Sequence, residues 1–190
     1  MNFTAKALTH GMTLLELMIT ISVMAILIAV GVPSMVKFIA NIRLVTEANN
    51  LVADIVYARN EAATRGRRVS LCVSQNVDSA TDPTCAASGT SAWQTGRIVF
   101  VDMDGDGVRE ITTSVTTNDV LLKKYSAIAT GNSLTVSGFA DTAHLTFSTF
   151  GGLTPSTAGS IKACSSSNST GYRISLAATG QPLSTKVACP

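Results

Sequence analysis

Residues 10–35 read HGMTLLELMITISVMAILIAVGVPSM, and how this stretch is placed decides the organisation of everything after it. Leu17 to Val32 carry no charged side chain, and the run extends to Val36 with only Ser, Thr, Gly and Pro interrupting it. About 20 apolar residues are enough to cross a bilayer core as a helix. The apolar region of a secretory signal is shorter, about 7–15 residues, and precedes a small-residue cleavage pattern. No A-x-A pattern follows here, so the stretch reads as a membrane helix that the protein keeps. Glu16 is the oddity at its head. A carboxylate deep in hydrocarbon costs about 2.5–3.5 kcal/mol on the lenient insertion scale, and the rest of the span offers no cation. Either Glu16 sits near the interface and complements the helix dipole, or it pairs with a positive group on another copy of a related helix. Lys6 precedes the span while Lys37 and Arg43 follow it, so the cations do not orient it.

Helical spacing continues past Pro33, which is expected only to kink the helix. Apolar residues recur at Ile42, Val45, Ala48, Val52, Ile55 and Ala62, widened by Leu44, Leu51 and Ala58. Arg43, Glu47, Asn50, Asp54 and Glu61 fall largely off that stripe. One apolar face at this period predicts an amphipathic continuation of the same helix. Gly66 is the expected C-cap, with Arg65 near the last carbonyls. A helix from Met12 to Thr64 would be roughly 80 Å long, and its second half needs a sheet to cover one face.

The remainder supplies short β-rich runs separated by turn residues: 67–74, 96–102, 110–115, 120–126, 133–138, 144–149, 160–165, 172–178 and 184–190. The expected fold class is α+β, a long helix packed on an antiparallel sheet or two. Residues 74–92 and 165–171 read as loops. The expected division is 1–11 as a leader, 12–36 as the membrane part of the helix, 37–66 as its amphipathic part, and 67–190 as the β-rich domain.

Composition excludes several classes. The chain has 190 residues, a formal net charge of +2 and only 14% charged residues, which is neither a disordered tail nor a strongly basic nucleic-acid binder. Four cysteines, Cys72, Cys85, Cys164 and Cys189, include no CxxC pair. An even number so spaced fits disulfides in an oxidising compartment better than a metal site. Of the three possible pairings, Cys72–Cys85 and Cys164–Cys189 are favoured because each closes a Ser/Thr-rich loop or pins the C-terminus. The alternative is four buried thiols.

The junction HG|MTLLELM resembles the prepilin signal of type IV pilins and type II secretion pseudopilins. In that family a dedicated peptidase cuts after the glycine, which implies a cut after Gly11 and a methylated N-terminus at Met12. Phe is the usual residue there, and Met12 departs from it. A glutamate at the fifth mature position is the family's hallmark; the resemblance implies that Glu16 neutralises the N-terminal amine of a neighbouring subunit during assembly. Pro33, at the twenty-second mature position, also matches.

Looser similarity in 51–72, 93–107, 145–164 and 172–189 points to the H-type pseudopilins (GspH) and the FimT and FimU minor pilins. The resemblance implies a single-pass inner-membrane protein with a periplasmic domain. It implies as partners other pilins or pseudopilins, the prepilin peptidase and an inner-membrane assembly platform, with a role in protein secretion or pilus biogenesis. The alternative is a tip subunit that captures DNA or a secreted substrate.

Three constellations invite chemistry. Asp102, Asp104 and Asp106 followed by Gly107 copy the first half of an EF-hand calcium loop, although the twelfth position falls on Thr113, leaving Glu110 as the substitute ligand. The competing and favoured interpretation is a solvated hairpin turn. Arg65, Arg67 and Arg68 form a basic cluster able to meet DNA phosphates. FimT-like relatives used in transformation carry Gly-Arg-x-Arg near the C-terminus, whereas this chain reads TGQPLSTK at 179–186, without arginine; nucleic acid is therefore not favoured. His144 has no nucleophile elbow or oxyanion motif beside it, and no phosphate loop is present, so no enzymatic activity is expected.

Overall fold

Thr13 opens the helix. Its Oγ1 accepts the backbone N–H of Glu16 at 3.2 Å, and its carbonyl accepts that of Leu17 at 3.1 Å, as an N-cap residue does. Helix α1 (Leu14–Arg65) then runs without interruption through Pro33. The computed structural model describes residues 12–79, 81–112, 118–166 and 169–189; Gly11 and Thr113 lie outside them. The chain divides between Ile39 and Ala40 into two compact units. Helix α1 ends on Gly66, whose φ of 60° lets the N–H of Arg67 return to the carbonyl of Ala62 at 3.3 Å, a Schellman closure.

Two antiparallel sheets follow. The first has five strands in the order β3-β2-β1-β5-β6: β1 (Arg68–Val73), β2 (Arg97–Asp102), β3 (Val120–Tyr125), β5 (His144–Phe147) and β6 (Leu153–Thr154). The second has the order β4-β7-β8-β9: β4 (Asn132–Ser137), β7 (Gly159–Ser165), β8 (Thr170–Leu176) and β9 (Pro182–Ala188). The fold is thus α+β, a long helix with two antiparallel sheets. Glu110–Thr112, expected to start a strand, are not in one; the carboxylate-rich loop after β2 takes up this stretch instead. Residues 113–115 of the same expected strand lie outside the described residues.

Alternation in β1 separates two apolar layers. Val69, Leu71 and Val73 face a core with Leu44, Ala48, Leu51, Ile55, Ala58 and Ala62 of α1, and with Leu134, Ile161 and Ile174 of the second sheet. Cys72 faces the other way, with Ile98, Phe100 and Val77. The Cys72–Cys85 bridge holds the 74–92 loop over this second layer, which is why β2 is buried along its whole length. Trp93, in a single 3₁₀ turn (Trp93–Thr95), is fully buried and donates its indole N–H to the Thr142 carbonyl at 2.6 Å.

The stripe on α1 lies slightly rotated from its expected position. Ile42 is 47% exposed, whereas Asp54, expected off the stripe, is 0% exposed. Asp54 meets Arg97 at 2.7 Å and Lys123 at 3.5 Å. Arg97, also fully buried, reaches Glu47 at 2.8 Å and stacks over Tyr125, 4.7 Å from the ring centre.

The second bridge, Cys164–Cys189, joins the end of β7 to the residue after β9 and so crosses the intervening strand β8. It passes over Gly171, where a Cβ would collide with Cys189 Sγ and the Ala163 carbonyl. Only glycine leaves room for the crossing. Gly171→Val should therefore leave two titratable thiols in unfolded, non-reduced protein and lower stability by about 2 kcal/mol or more; a fully bridged variant with an unchanged melting temperature would exclude this geometry.

Candidate functional site

Helix α1 presents the first candidate surface. Every residue from Met12 to Ile39 is exposed, including Leu14, Leu15, Ile19, Met24, Ile28 and Phe38. A helix apolar all round is stable only when lipid or protein surrounds it, and this stretch is long and apolar enough to cross a membrane. Glu16 sits in the first turn, three residues after the Thr13 cap, where its charge faces the positive end of the helix dipole. The T-x-x-E pattern of residues 13–16 was the available sequence signal for this cap.

The loop after β2 gathers the acidic candidates. Asp102, Asp104 and Asp106 bring carboxylate oxygens within 4.8 Å of one another. Asp102 is buried, and its oxygens accept the N–H groups of Gly105 at 2.5 Å and Gly107 at 3.0 Å, and the hydroxyl of Ser70 at 2.6 Å. Burial still holds its carboxyl above the ordinary value, opposed by those hydrogen bonds. Asp104 and Asp106 each accept the N–H two residues on, at 3.3 Å and 2.7 Å, the local bonding that makes Asx turns.

Glu110 is not in the three-carboxylate group. Burial, the adjacent Asp119 carboxyl and the charges of Asp106 and Asp104 push its pKa up to about 7. Asp119, which sequence reasoning passed over, is buried and ties the loop shut by accepting the N–H of Met103 and of Glu110, both at 2.9 Å.

The arginine cluster is largely engaged within the chain. Arg65 pairs with Glu61 at 2.5 Å, and Arg68 donates to the Asp104 carbonyl at 3.0 Å, so two of its three members are engaged within the chain. Arg67 is exposed. His144 lies 3.9 Å from Asp141, while Ser88 donates to the other oxygen of that carboxylate. Because the carboxylate stands between the serine and the imidazole, His144 is not set to take a proton from Ser88. Its ring instead covers Gly107.

A long helix with an uncovered apolar first half and a β-rich second unit defines a pilin-like subunit. Residues 47–180 match the family described as type II transport protein GspH. The chain belongs to that family, which comprises minor pilins and pseudopilins of type IV pili and type II secretion: structural filament subunits rather than enzymes. The fold is similar to that of the minor pilin FimU of Pseudomonas aeruginosa, at 21% identity and a TM-score of 0.50, over 80% of this chain and 92% of that one. The minor pseudopilin EpsH of the Vibrio cholerae type 2 secretion system is also similar, at 12% identity and a TM-score of 0.45, over 77% of this chain and 97% of that one. No curated protein matches the sequence.

Calcium takes 6–8 oxygen ligands, and the Asp102 carboxylate already serves the turn. Titration with calcium should produce no binding heat and no rise in melting temperature; a rise of several degrees would assign a metal to this loop.

Glu110 gives a second prediction. Its folded pKa lies above the unfolded value of 4.5, so its contribution is fully present at pH 4 and is lost as pH rises through about 7. Glu110→Gln should match the wild type at pH 4 and melt higher at pH 8; equal melting at both would show that the group is not held protonated.

Proposed function

We propose that this protein is a minor subunit of a type IV pilus or type II secretion pseudopilus, held in the inner membrane by the first half of α1 until it joins a filament. The leader is cut after Gly11 by the prepilin peptidase, and Met12 becomes the methylated N-terminus. The β-rich unit lies in the periplasm, where the two disulfides persist, and the subunit enters near the filament tip through an assembly platform.

The observation that carries this proposal is Glu16: a charged group in the first turn of a helix whose every neighbour up to Ile39 is exposed and mostly apolar. Within the apolar core of a filament a lone carboxylate would be costly, and the terminal amine of a neighbouring subunit offsets that cost by supplying the opposite charge. Pro33 removes one amide from the helix ladder at a place where packing against a neighbour tolerates it. Capture of DNA through Arg65, Arg67 and Arg68 is not favoured, because the first and last of these are engaged within the chain.

Glu16→Ala is expected to leave membrane insertion and the fold intact while reducing filament-dependent secretion or piliation at least about tenfold. Normal function in that variant would refute the pairing. Gly11→Asp should retain the leader and migrate as a slower band; processing at the normal rate would misplace the cut.

A further inference from the structure

The first cations after the apolar stretch of α1 find no acid. Lys37 and Arg43 follow the run that ends at Val36, and Glu47 is the first carboxylate beyond Glu16. Glu47 is already engaged: its Oε1 accepts from the Arg97 guanidinium at 2.8 Å, in a network where Glu47 and Asp54 are matched by Arg97 and Lys123. Arg43 is exposed and has no hydrogen bond or ion pair among the described residues. It lines a groove of about 290 Å³ with Ile42, Thr46 and Glu47 of α1 and with Ala129 and Asn132 from the turn before β4. That turn is closed by Asn132 N–H to the Ala129 carbonyl at 3.3 Å. All six residues lie in the second compact unit. With Glu47 spent on Arg97, the groove offers a guanidinium, a hydroxyl and a side-chain amide, and no free acid.

The chain sets the level of Arg43. The uncharged stretch 17–36 has 20 residues, about 30 Å as a helix, which matches the hydrocarbon thickness of a bilayer. Arg43 comes seven residues later on the same helix, about 10 Å further by helical rise. Side chains on a helix lean toward its N-terminal end, so a long arginine there reaches back toward the hydrocarbon. The headgroup layer adds about 5–8 Å on each side of that core, and it lies within the reach of the Arg43 side chain.

We propose that this groove binds the headgroup of an anionic phospholipid of the bilayer that α1 spans, with Arg43 on the phosphate and Thr46 and Asn132 donating to its oxygens. The inference rests on the membrane-held subunit proposed above. A guanidinium meets a phosphate through two parallel N–H donors. The headgroup is anionic overall, because a zwitterionic one brings a second cation to Arg43 and the groove has no free acid to receive it.

The test uses the full chain in detergent micelles, titrated with phosphatidylglycerol and in parallel with phosphatidylcholine, with bound lipid counted by native mass spectrometry. Phosphatidylglycerol should be retained about fivefold more strongly, the effect of one cation near an anionic lipid surface. Arg43→Gln should abolish that preference, and Arg43→Lys should keep most of it. Substitutions at 132, far from the helix in sequence, separate the groove from an arginine that merely snorkels. Asn132→Asp should lower retention and Asn132→Lys should raise it, a gain that misfolding cannot produce. Equal retention of the two lipids, an unchanged preference in Arg43→Gln, or no response at 132 would each overturn the proposal. Displacement of the lipid by inorganic phosphate, but not by chloride at the same ionic strength, would assign a free-anion site and overturn it too. If the lipid preference is absent while Glu16→Ala still impairs assembly, the lipid site fails and the filament-subunit function stands. A chain recovered outside the membrane fraction of its own cells would remove the membrane-held subunit and the lipid site together.

Discussion

The buried pairing of Arg97 with Asp54 and Glu47 fixes how the helix meets the first sheet. Arg97 stands on the face of β2 that also carries Val99, and its guanidinium binds two carboxylates about two helical turns apart on α1. Apolar packing alone would tolerate small slides of a helix over a sheet, because the hydrophobic effect is not directional. A charge pair in the interior does not. Removing one partner of a buried pair costs about 3–5 kcal/mol, and a shifted register would impose a comparable loss. Lys123 and Tyr125 on β3 extend the network: Lys123 lies over the rings of both Tyr57 and Tyr125. Burial outweighs the attraction of Arg97 and leaves the Asp54 carboxyl above its ordinary value, so the network orients the interface more than it stabilises it.

From this contact the remaining architecture follows. With β2 anchored to the helix, β1 and β5 extend the sheet and carry apolar residues to the shared core, while the opposite face of β1 and β2 needs its own cover. The 74–92 loop supplies it, with Cys72–Cys85 as the staple and Arg109 holding the loop from below through the Pro83 carbonyl at 2.7 Å and Asp82 at 3.2 Å. The second sheet has one face in the core and one in solvent, and its disulfide crosses the solvent face over Gly171. The first staple thus covers an apolar layer, and the second ties the residue after β9 to β7 across a solvated face.

The two exposed apolar features differ in origin. The apolar half of α1 is an assembly surface by composition: any environment other than lipid or protein leaves it uncovered. The turn that carries Phe150 differs: its backbone is held by hydrogen bonds from α1 and from the turn between β8 and β9, while the ring itself stays exposed. The acidic loop resembles a metal site in sequence, but its carboxylates accept backbone N–H groups, and the same residues that suit a cation suit a tight turn.

The sequence by itself determined what local chemistry controls. Residues 14–35 specify an apolar helix with a charged head, Gly66 ends that helix, and alternating β-rich runs specify an antiparallel α+β domain. Eight of the nine expected strand runs overlap strands of the structure. Tertiary structure decided what depends on partners distant in sequence. Nothing three or four residues from Asp54 is cationic, so no local pairing marks it for burial; its partner lies 43 residues away. The run at 110–115 scored as strand by its β-branched residues, yet Glu110–Thr112 stay out of the ladder and Glu110 faces Asp119. Phe150 lies just past the expected strand run 144–149, and nothing local marks it as exposed. Exposure is a property of what the folded chain fails to cover, and no periodicity in the sequence records it.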